Sequence, residues 1–505
     1  MTACALALAY SFLTPIHYAP DEPNHMDLVL ELREELRYGS PYDTLFSEGI
    51  WASRHEVGVA DGRRHLDARD DTPRGQRPSL DALGGRTDAE GLYNQIPQHP
   101  PGYTILLAIP SGVIDRVWPG QQPWDQDLAL LRFLTVPLLG LTVLLCAEAG
   151  RAARLSRSGI VLCATAPLMV PQVVWLAGMV NNDNLLMAAM AAVTVYCLRI
   201  GAGDLSRGVA VGAGVALGIA LFAKPFALVG PLWILGAYAL AARSSLERAA
   251  RMLPLTAAVS FVAGGFWYAL NLVRFGTPTP SRSSLPRQPD FEPDLGVFLD
   301  RYVPGMRHSF FGQFGWNELQ LWRPYVVWVG WLLLACMVLV GFGQLRRLLW
   351  LWAPVLSAVT LAFVFAYRGH ARTGLYPAIQ GRYLFGAIAA AAVLCAAGAT
   401  GMITNLRSQR WLPVAALAVA AIGQIAAVQV MMQRWYGPEG GSFVKQVAAL
   451  IDWSPWPLGF QVVVIAAVAA SVAWTLRSLA TFVHDEGEAH PRNGTADQRA
   501  MLENR

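Results

Sequence analysis

The chain has 505 residues, of which 54% are hydrophobic and 15% are charged, and its mean hydropathy is +0.36. This composition is typical of a membrane protein and excludes an ordinary soluble enzyme. The net charge is only +4, and no dense basic stripe with interleaved aromatic residues occurs, which excludes a nucleic-acid-binding protein. We therefore expect an all-α polytopic membrane protein.

Twelve apolar segments approach or reach the length that a helix needs to cross a bilayer. They lie at 2–18, 127–149, 158–177, 184–199, 208–223, 225–242, 252–273, 324–343, 349–367, 383–401, 411–432 and 457–476. Alternate connections are short and rich in arginine, and the positive-inside rule places them and both termini in the cytoplasm. The sequence thus predicts about twelve transmembrane helices in one domain, 1–480, of a bacterial cytoplasmic (inner) membrane. A disordered cytoplasmic tail, 481–505, is predicted to follow.

The first outer loop, 19–126, is composite. Residues 23–37 place aliphatic side chains on one helical stripe and acidic side chains elsewhere, which predicts an amphipathic helix on the membrane surface. Residues 52–91 are rich in Arg, Asp and Gly without apolar periodicity and predict a mobile or partly disordered segment. The apolar stretch 103–118 is interrupted by a proline and an aspartate, and it predicts a re-entrant or interfacial helix. A second long outer loop is predicted at 274–323.

Two adjacent carboxylates, Asp21 and Glu22, follow the first apolar segment directly, and His25 comes one turn later. Carboxylates at a membrane surface are costly unless they have a function. A catalytic base that acts on a lipid-linked substrate would lie at this depth. Acidic residues before a proline also make an ordinary helix start. Residue type alone leaves both interpretations open.

Further polar residues lie at the predicted outer ends of other segments. They are His99, Asn181, Asn182, Asp183, Lys224, Arg372, Gln380, Arg382 and Tyr383. The asparagine run is either a plain turn or a site for sugar hydroxyls or a cation. Lys224, one of only two lysines, either snorkels to the interface or faces a phosphate. Arginines on the side that is usually poor in them favour an anionic partner, either a phosphate or membrane lipid headgroups.

Five motifs, spread in order over most of the chain, resemble those of a known group of enzymes. They lie at 20–25, 99–103, 181–183, 311–316 and 380–384. The chain resembles GT-C fold glycosyltransferases, which are polytopic membrane enzymes that use polyprenyl-phosphate sugars. Within them it is similar to the protein mannosyltransferase and aminoarabinose transferase group, nearest a largely uncharacterised bacterial membrane-protein family.

The resemblance implies a GT-C-like helical bundle with interfacial helices in the first outer loop and a catalytic acid in that loop. Asp21 matches the position of the base best. The adjacent Glu22 would orient Asp21, assist the acceptor or hold a divalent cation, the only cofactor that the pattern leaves open. His25 and His99 would either position the acceptor or ligate a metal.

The resemblance also implies the partners and the reaction. The donor would be a sugar on a polyprenyl phosphate, and the acceptor a glycan, a lipid or a protein at the outer face of the membrane. The transfer would invert the anomeric centre. Arg382, with Lys224 or Arg372, would stabilise the leaving phosphate.

Two other classes of function remain open on the sequence. A transporter or flippase of lipid-linked glycans would need polar residues at mid-membrane, and the nearly charge-free apolar segments disfavour it. A non-catalytic membrane assembly factor would not need the carboxylates that this chain carries.

Overall fold

The computed structural model describes residues 1–59, 72–117, 123–282, 285, 287–343, 345–403, 405–437 and 441–488. It is dominated by helices. The helices are α1 (Thr2–Leu13), α2 (Glu22–Glu35), α3 (Glu48–Glu56), α4 (Gly102–Val117), α5 (Trp124–Thr135), α6 (Pro137–Ala152), α7 (Arg157–Thr165), α8 (Pro171–Ala177), α9 (Asp183–Gly201), α10 (Arg207–Ala223), α11 (Gly230–Ser260), α12 (Phe266–Phe275), α13 (Leu295–Phe311), α14 (Arg323–Leu339), α15 (Trp352–Thr373), α16 (Ile388–Gly401), α17 (Leu406–Gln409), α18 (Leu412–Trp435), α19 (Phe443–Trp453) and α20 (Leu458–Glu488).

Four short strands accompany the helices in the described part of the chain. They are β1 (Leu45–Ser47), β2 (Asp88–Tyr93), β3 (Gln313–Phe314) and β4 (Leu319–Gln320). They form two antiparallel pairs, β1 with β2 and β3 with β4. The expected all-α class therefore holds for the bulk of the molecule, with these two small pairs added.

Every predicted apolar segment overlaps a helix, but the predicted count of twelve spans is not confirmed. Among the described residues, seven helical runs are long and apolar enough to cross a membrane. An eighth is reached if the pair Arg157–Met169 and Pro171–Ala177, bent by 72°, counts as one broken span. Three apolar helices, α1, α10 and α14, are shorter than 18 residues. Two predicted segments, 225–242 and 252–273, lie in one run of 51 residues, and non-helical backbone at Ser245 (φ −157°, ψ 87°) breaks this run between them.

The first outer loop is more ordered than its composition predicts. Helix α2 forms where an amphipathic surface helix was expected, but the surface position is wrong, because its acidic Asp27 and Glu31 are as buried as its aliphatic side chains. The mobile segment predicted over 52–91 is wrong in its described parts. Its first residues continue α3, and β2 pairs with β1. Residues 60–71 lie outside the described residues.

A polar network explains why α2 is buried. The carboxylate of Asp27 accepts hydrogen bonds from Arg86, from Asn94 and from the hydroxyl of Ser47, and so ties α2 to β1 and to the residues on either side of β2. Because each carboxylate oxygen has a partner, burying this charge carries little penalty. Composition alone does not reveal such pairing between distant residues.

Helices α1 and α20, at opposite ends of the chain, pack side by side. The largest apolar core joins α1 and α2 to α8 and α18. Helix α20 continues to Glu488, so residues 481–488 are helical rather than disordered. The rest of the predicted tail, 489–505, lies outside the described residues.

Candidate functional site

Asp21 immediately precedes α2 with a left-handed backbone, φ 65° and ψ 3°, which Asp tolerates better than most residues. Its side chain makes no capping hydrogen bond to the helix. Its Oδ2 instead accepts a hydrogen bond of 2.7 Å from Nη2 of Arg382, 361 residues later. Asp21 therefore lies at the start of the helix, as that interpretation predicts, but its carboxylate does not cap the helix.

Arg382 lies in a short 3₁₀ helix, Gly381–Ala387, that leads into α16. The chain passes very close to α13 here, because a Cβ added to Gly381 would lie 2.2 Å from the backbone nitrogen of Phe310. Only glycine fits such an approach without a shift of the backbone. Nε of Arg382 donates to Oε1 of Gln380 at 2.5 Å. The close contact and this bond together hold the guanidinium in place.

Lys224 and Asp183 come from two other helix ends. Lys224 precedes a proline, which disfavours helical backbone, and it is extended at φ −162° and ψ 144° between α10 and the following 3₁₀ turn. Asp183 is in the first turn of α9, where the helix dipole favours a negative charge. Nζ of Lys224 donates to Oδ1 of Asp183 at 2.6 Å, and both side chains are buried.

These four residues form one chain of alternating charges, which we call the charge chain: Lys224, Asp183, Arg382 and Asp21. Its middle link is the 3.6 Å separation between Oδ2 of Asp183 and Nε of Arg382. The side chain of Asp183 is 0% exposed, whereas that of Asp21 is 23% exposed. The charge chain is therefore open to its surroundings at Asp21 and buried at Lys224 and Asp183.

The charge of Arg382 governs the protonation of Asp21. Burial acts to raise the pKa of Asp21, but the positive charge of Arg382 and its hydrogen bond outweigh burial. The pKa of Asp21 consequently lies below its ordinary value. The carboxylate is an ion-pair partner in this state.

Both predicted histidines adjoin the charge chain. Burial lowers the pKa of His25 to about 3, against the opposing charge of Asp21. Burial and the positive charge of Lys224 hold the pKa of His99 well below its ordinary value. Both imidazoles are thus neutral at physiological pH. Each can accept one hydrogen bond and donate another.

The asparagine run is partly a turn and partly a site. Oδ1 of Asn181 accepts the backbone N–H of Asp183 at 2.9 Å, which confirms the turn interpretation for that residue. Nδ2 of Asn181 also donates to the carbonyl of Pro20 at 3.4 Å, which ties the turn to the segment that carries Asp21. Nδ2 of Asn182 has no partner.

Several buried polar atoms in and around the charge chain have no hydrogen-bond partner. They are Nη1 of Arg382, Oδ2 of Asp183, Nδ2 of Asn182, and Nδ1 of both His25 and His99. Buried polar atoms are usually paired, and these five of the 19 unpaired side-chain atoms among the described residues lie in or beside the charge chain. The set contains donors, an acceptor and two imidazoles. It suits a ligand that offers both kinds of partner.

Two clefts reach these residues. A narrow one leads to Arg382 and is lined by Pro20, Gln172, Trp175, Leu176, Ser309, Asn317, Gln380 and Gly381. A second, apolar crevice is lined by Leu186, Met190, Phe226, Val229, Trp233, Ala358, Leu361, Tyr383 and Gly386. Tyr383 stacks on Phe226 with ring centroids 4.4 Å apart, and the Nζ atom of Lys224 lies 5.3 Å from the Tyr383 ring centroid. Tyr383 therefore lines the apolar crevice and also lies beside Lys224 of the charge chain.

A family model of predicted membrane proteins, DUF2142, matches residues 128–391, which is just over half of the chain. The chain belongs to the DUF2142 family. This confirms the expected membership of a largely uncharacterised membrane-protein family. The matched region contains Asp183, Lys224 and Arg382, whereas Asp21 precedes it.

Among solved structures, this DUF2142 protein is similar to ArnT from Cupriavidus metallidurans in the apo state and bound to undecaprenyl phosphate. The sequence identities are 16% and 15%, and the TM-score is 0.44 in both cases. Each alignment covers 92% of this chain and 75% or 76% of the ArnT chain. No curated protein matches the chain.

Eight predicted site residues lie outside the four-residue charge chain of this DUF2142 protein, and two of these, Glu22 and Arg372, are bonded to other parts of the fold. Glu22 is fully enclosed, and both of its carboxylate oxygens accept hydrogen bonds from Arg132. Its carboxylate is therefore paired with Arg132 in this structure. Arg372 lies at the end of α15, where its carbonyl accepts the backbone N–H of Gln288. Arg382 and Lys224 are the predicted cations that come together.

No group of three or more His, Cys, Asp or Glu side chains is placed to hold a metal within the described ranges. Asp21 and Asp183 both pair with cationic side chains instead. This arrangement gives no support to the divalent cation that the sequence left open at Glu22, or to a metal on His25 and His99.

Arg132 is the structural residue that sequence reasoning missed. Its Nη1 donates to the carbonyls of Ser11 and Thr14, and its Nη2 to that of Pro15, in addition to the bonds with Glu22. It fastens the end of α1 to the start of α2 and so fixes the backbone that carries Asp21. Its signal was available, because an arginine inside an apolar segment needs a buried partner.

Proposed function

We propose that this protein is an inverting glycosyltransferase that moves a sugar from a polyprenyl phosphate to an acceptor at the outer face of the cytoplasmic membrane. The observation that carries the proposal is the meeting of a partly exposed carboxylate, Asp21, with two buried cations, Arg382 and Lys224. The motifs that predicted this constellation are separated by hundreds of residues in the sequence.

Asp21 is the base in this proposal. It takes the proton of an acceptor hydroxyl while that oxygen attacks the anomeric carbon. A new glycosidic bond forms as the bond between the anomeric carbon and the phosphate oxygen breaks. The electron pair of the broken bond stays on the phosphate. Attack opposite to the leaving group inverts the anomeric centre.

Arg382 and Lys224 stabilise the negative charge that develops on the departing phosphate. Fixed charges in a site that excludes water are worth far more than in solution, and they need no reorganisation during the reaction. The unpartnered Nη1 of Arg382 supplies a donor that no side chain uses. A planar guanidinium matches the geometry of a phosphate.

The apolar crevice beside Tyr383 suits the lipid part of the donor. Its lining is apolar apart from the hydroxyl of Tyr383, whose ring centroid lies 5.3 Å from Nζ of Lys224. The crevice is narrow in this state, so a lipid tail would enter only as its walls move apart; its phosphate would then lie near Lys224 and Arg382. A sugar carries hydroxyl groups that both donate and accept, which matches the unpaired atoms of His25, His99 and Asn182.

Turnover of a lipid-linked sugar tests the proposal. The purified protein in proteoliposomes should release polyprenyl phosphate from at least one member of a panel of undecaprenyl-phosphate sugars, given a mixed envelope extract as acceptor. Asp21→Asn should abolish the release. Asp127→Asn is the matched control, because Asp127 is 21% exposed and pairs with Arg33 at 2.8 Å, away from the charge chain. Equal release by the wild type and by Asp21→Asn would refute Asp21 as the base.

A further inference from the structure

Arg382 is shared between two carboxylates that hold it unequally. Its Nη2 donates to Asp21 at 2.7 Å, while its Nε lies 3.6 Å from Asp183. Its Nη1 is buried and has no hydrogen-bond partner. Nη1 of the guanidinium is therefore free to donate to a ligand, while Nη2 is bonded to Asp21 at the exposed end of the charge chain.

The charge chain is neutral as it stands, because its two cations balance its two carboxylates. An anion that entered beside all four groups would add an uncompensated negative charge to a buried site. Such a charge is expensive in a poorly solvated environment. An entering phosphate is accommodated at lower cost if one carboxylate gives up its cation.

Asp183 and Asp21 differ in how easily each can separate from its cation. Asp183 is fully buried, bonds to Lys224 and has the favourable dipole of α9 behind it. Asp21 is partly exposed and sits where the chain turns into α2, with a left-handed backbone that an aspartate occupies at some cost. Asp21 is the carboxylate that can be released to a more hydrated position.

We propose that a lipid phosphate displaces Asp21 from Arg382, and that the freed carboxylate then serves as the base. This inference rests on the proposed function and adds a sequence of events to it. The phosphate takes over the donors of Arg382, including the unpartnered Nη1. Asp21 loses its counter-charge, so that its affinity for a proton rises only when the phosphate is in place.

A variant without the Asp21 charge should bind the lipid phosphate more tightly, because the phosphate no longer competes for Arg382. For undecaprenyl phosphate in detergent micelles, we expect Asp21→Asn to lower the dissociation constant about tenfold. Asp21→Ser, which shortens the side chain, should act in the same direction. Arg382→Gln should weaken binding strongly.

Asp127→Asn again supplies the control, since it removes a similarly exposed carboxylate from a similar ion pair. Its affinity should equal that of the wild type. If the wild type binds undecaprenyl phosphate and both Asp21 variants bind it equally or more weakly, the displacement is refuted and the proposed function stands. Equal tightening in Asp127→Asn would also refute the displacement. If neither the wild type nor the variants bind the lipid, the proposed function itself fails.

Phosphatidic acid separates the two sources of a lipid phosphate. Preference for undecaprenyl phosphate, with tightening in Asp21→Asn, supports the carrier lipid as the group that displaces Asp21. Equal affinity for phosphatidic acid, with the same tightening, supports displacement by a phospholipid headgroup and contradicts a polyprenyl-phosphate donor.

Discussion

Glu22 and Arg132 form an ion pair from which solvent is wholly excluded. Nε and Nη2 of the arginine donate to the two carboxylate oxygens at 2.8 and 2.6 Å, and both side chains are 0% exposed. The remaining donors of Arg132 bond to backbone carbonyls at the end of α1. Glu22 is therefore bonded to Arg132 inside the bundle. Its neighbour Asp21 pairs with Arg382 instead.

Arg132→Met should destabilise the protein severely. It leaves the carboxylate of Glu22 buried without a partner, which costs about 3–5 kcal/mol for a pair of this kind. The thermal midpoint in detergent and the monodisperse fraction after extraction should both fall. The double variant Glu22→Gln with Arg132→Met should recover part of the loss, because it removes the unpaired charge. No recovery in the double variant would contradict direct coupling of the two residues.

Gly381→Ala should reduce turnover more than it reduces stability. The added methyl group would overlap the backbone of Phe310 and shift the guanidinium of Arg382 away from Asp21. A misplacement of about 1 Å near the chemistry costs roughly 100-fold in rate. The control is Gly236→Ala in α11, where an added Cβ meets nothing within 4 Å. Unimpaired turnover in Gly381→Ala would show that the position of Arg382 is not critical.

Lys224→Gln should lower kcat by about 100- to 1000-fold, because one fixed charge beside the leaving phosphate is lost. The chain contains one other lysine, Lys445, which is exposed in α19, and Lys445→Gln should be silent. Release of polyprenyl phosphate from the preferred donor measures both. Similar rates for the two variants would assign Lys224 to structure alone.

The pH dependence of turnover should differ between kcat/KM and kcat. In the free protein Arg382 holds the pKa of Asp21 below its ordinary value, so kcat/KM should stay level as the pH falls from 7 to 5. Once a phosphate has taken over Arg382, Asp21 loses that support and its pKa rises. The kcat profile should therefore begin to fall at a higher pH. Superimposable profiles would contradict the displacement of Asp21.

The free energy of unfolding should depend on pH mainly through the buried histidines. Because the pKa of His25 is lowered to about 3 in the folded protein, the unfolded chain binds a proton first as the pH falls below about 6.5. Folding is therefore progressively disfavoured from about pH 6.5 downwards. His25→Gln should flatten the dependence of the thermal midpoint on pH in this range. An unchanged slope in the variant would show that His25 is not neutral and buried.

Much of this architecture could be predicted from the sequence, because apolar length and arginine placement are local signals. The helical segments and the meeting of Asp21, Lys224 and Arg382 followed from them. The partners of Glu22 and Asp27 did not, since they are set by packing between segments far apart in the chain. Composition also predicted a mobile segment where residues 88–93 form a strand that pairs with β1, and where the adjoining Asn94 is bonded to Asp27.

We propose that Asp21 acts as the base and that it is paired with Arg382 before the donor binds. Release of labelled undecaprenyl phosphate from its sugar conjugate, measured with Asp21→Asn and Asp127→Asn side by side in proteoliposomes, tests it most directly. We predict loss of release in Asp21→Asn with the folded fraction unchanged, and normal release in Asp127→Asn. Normal release in Asp21→Asn would contradict the account.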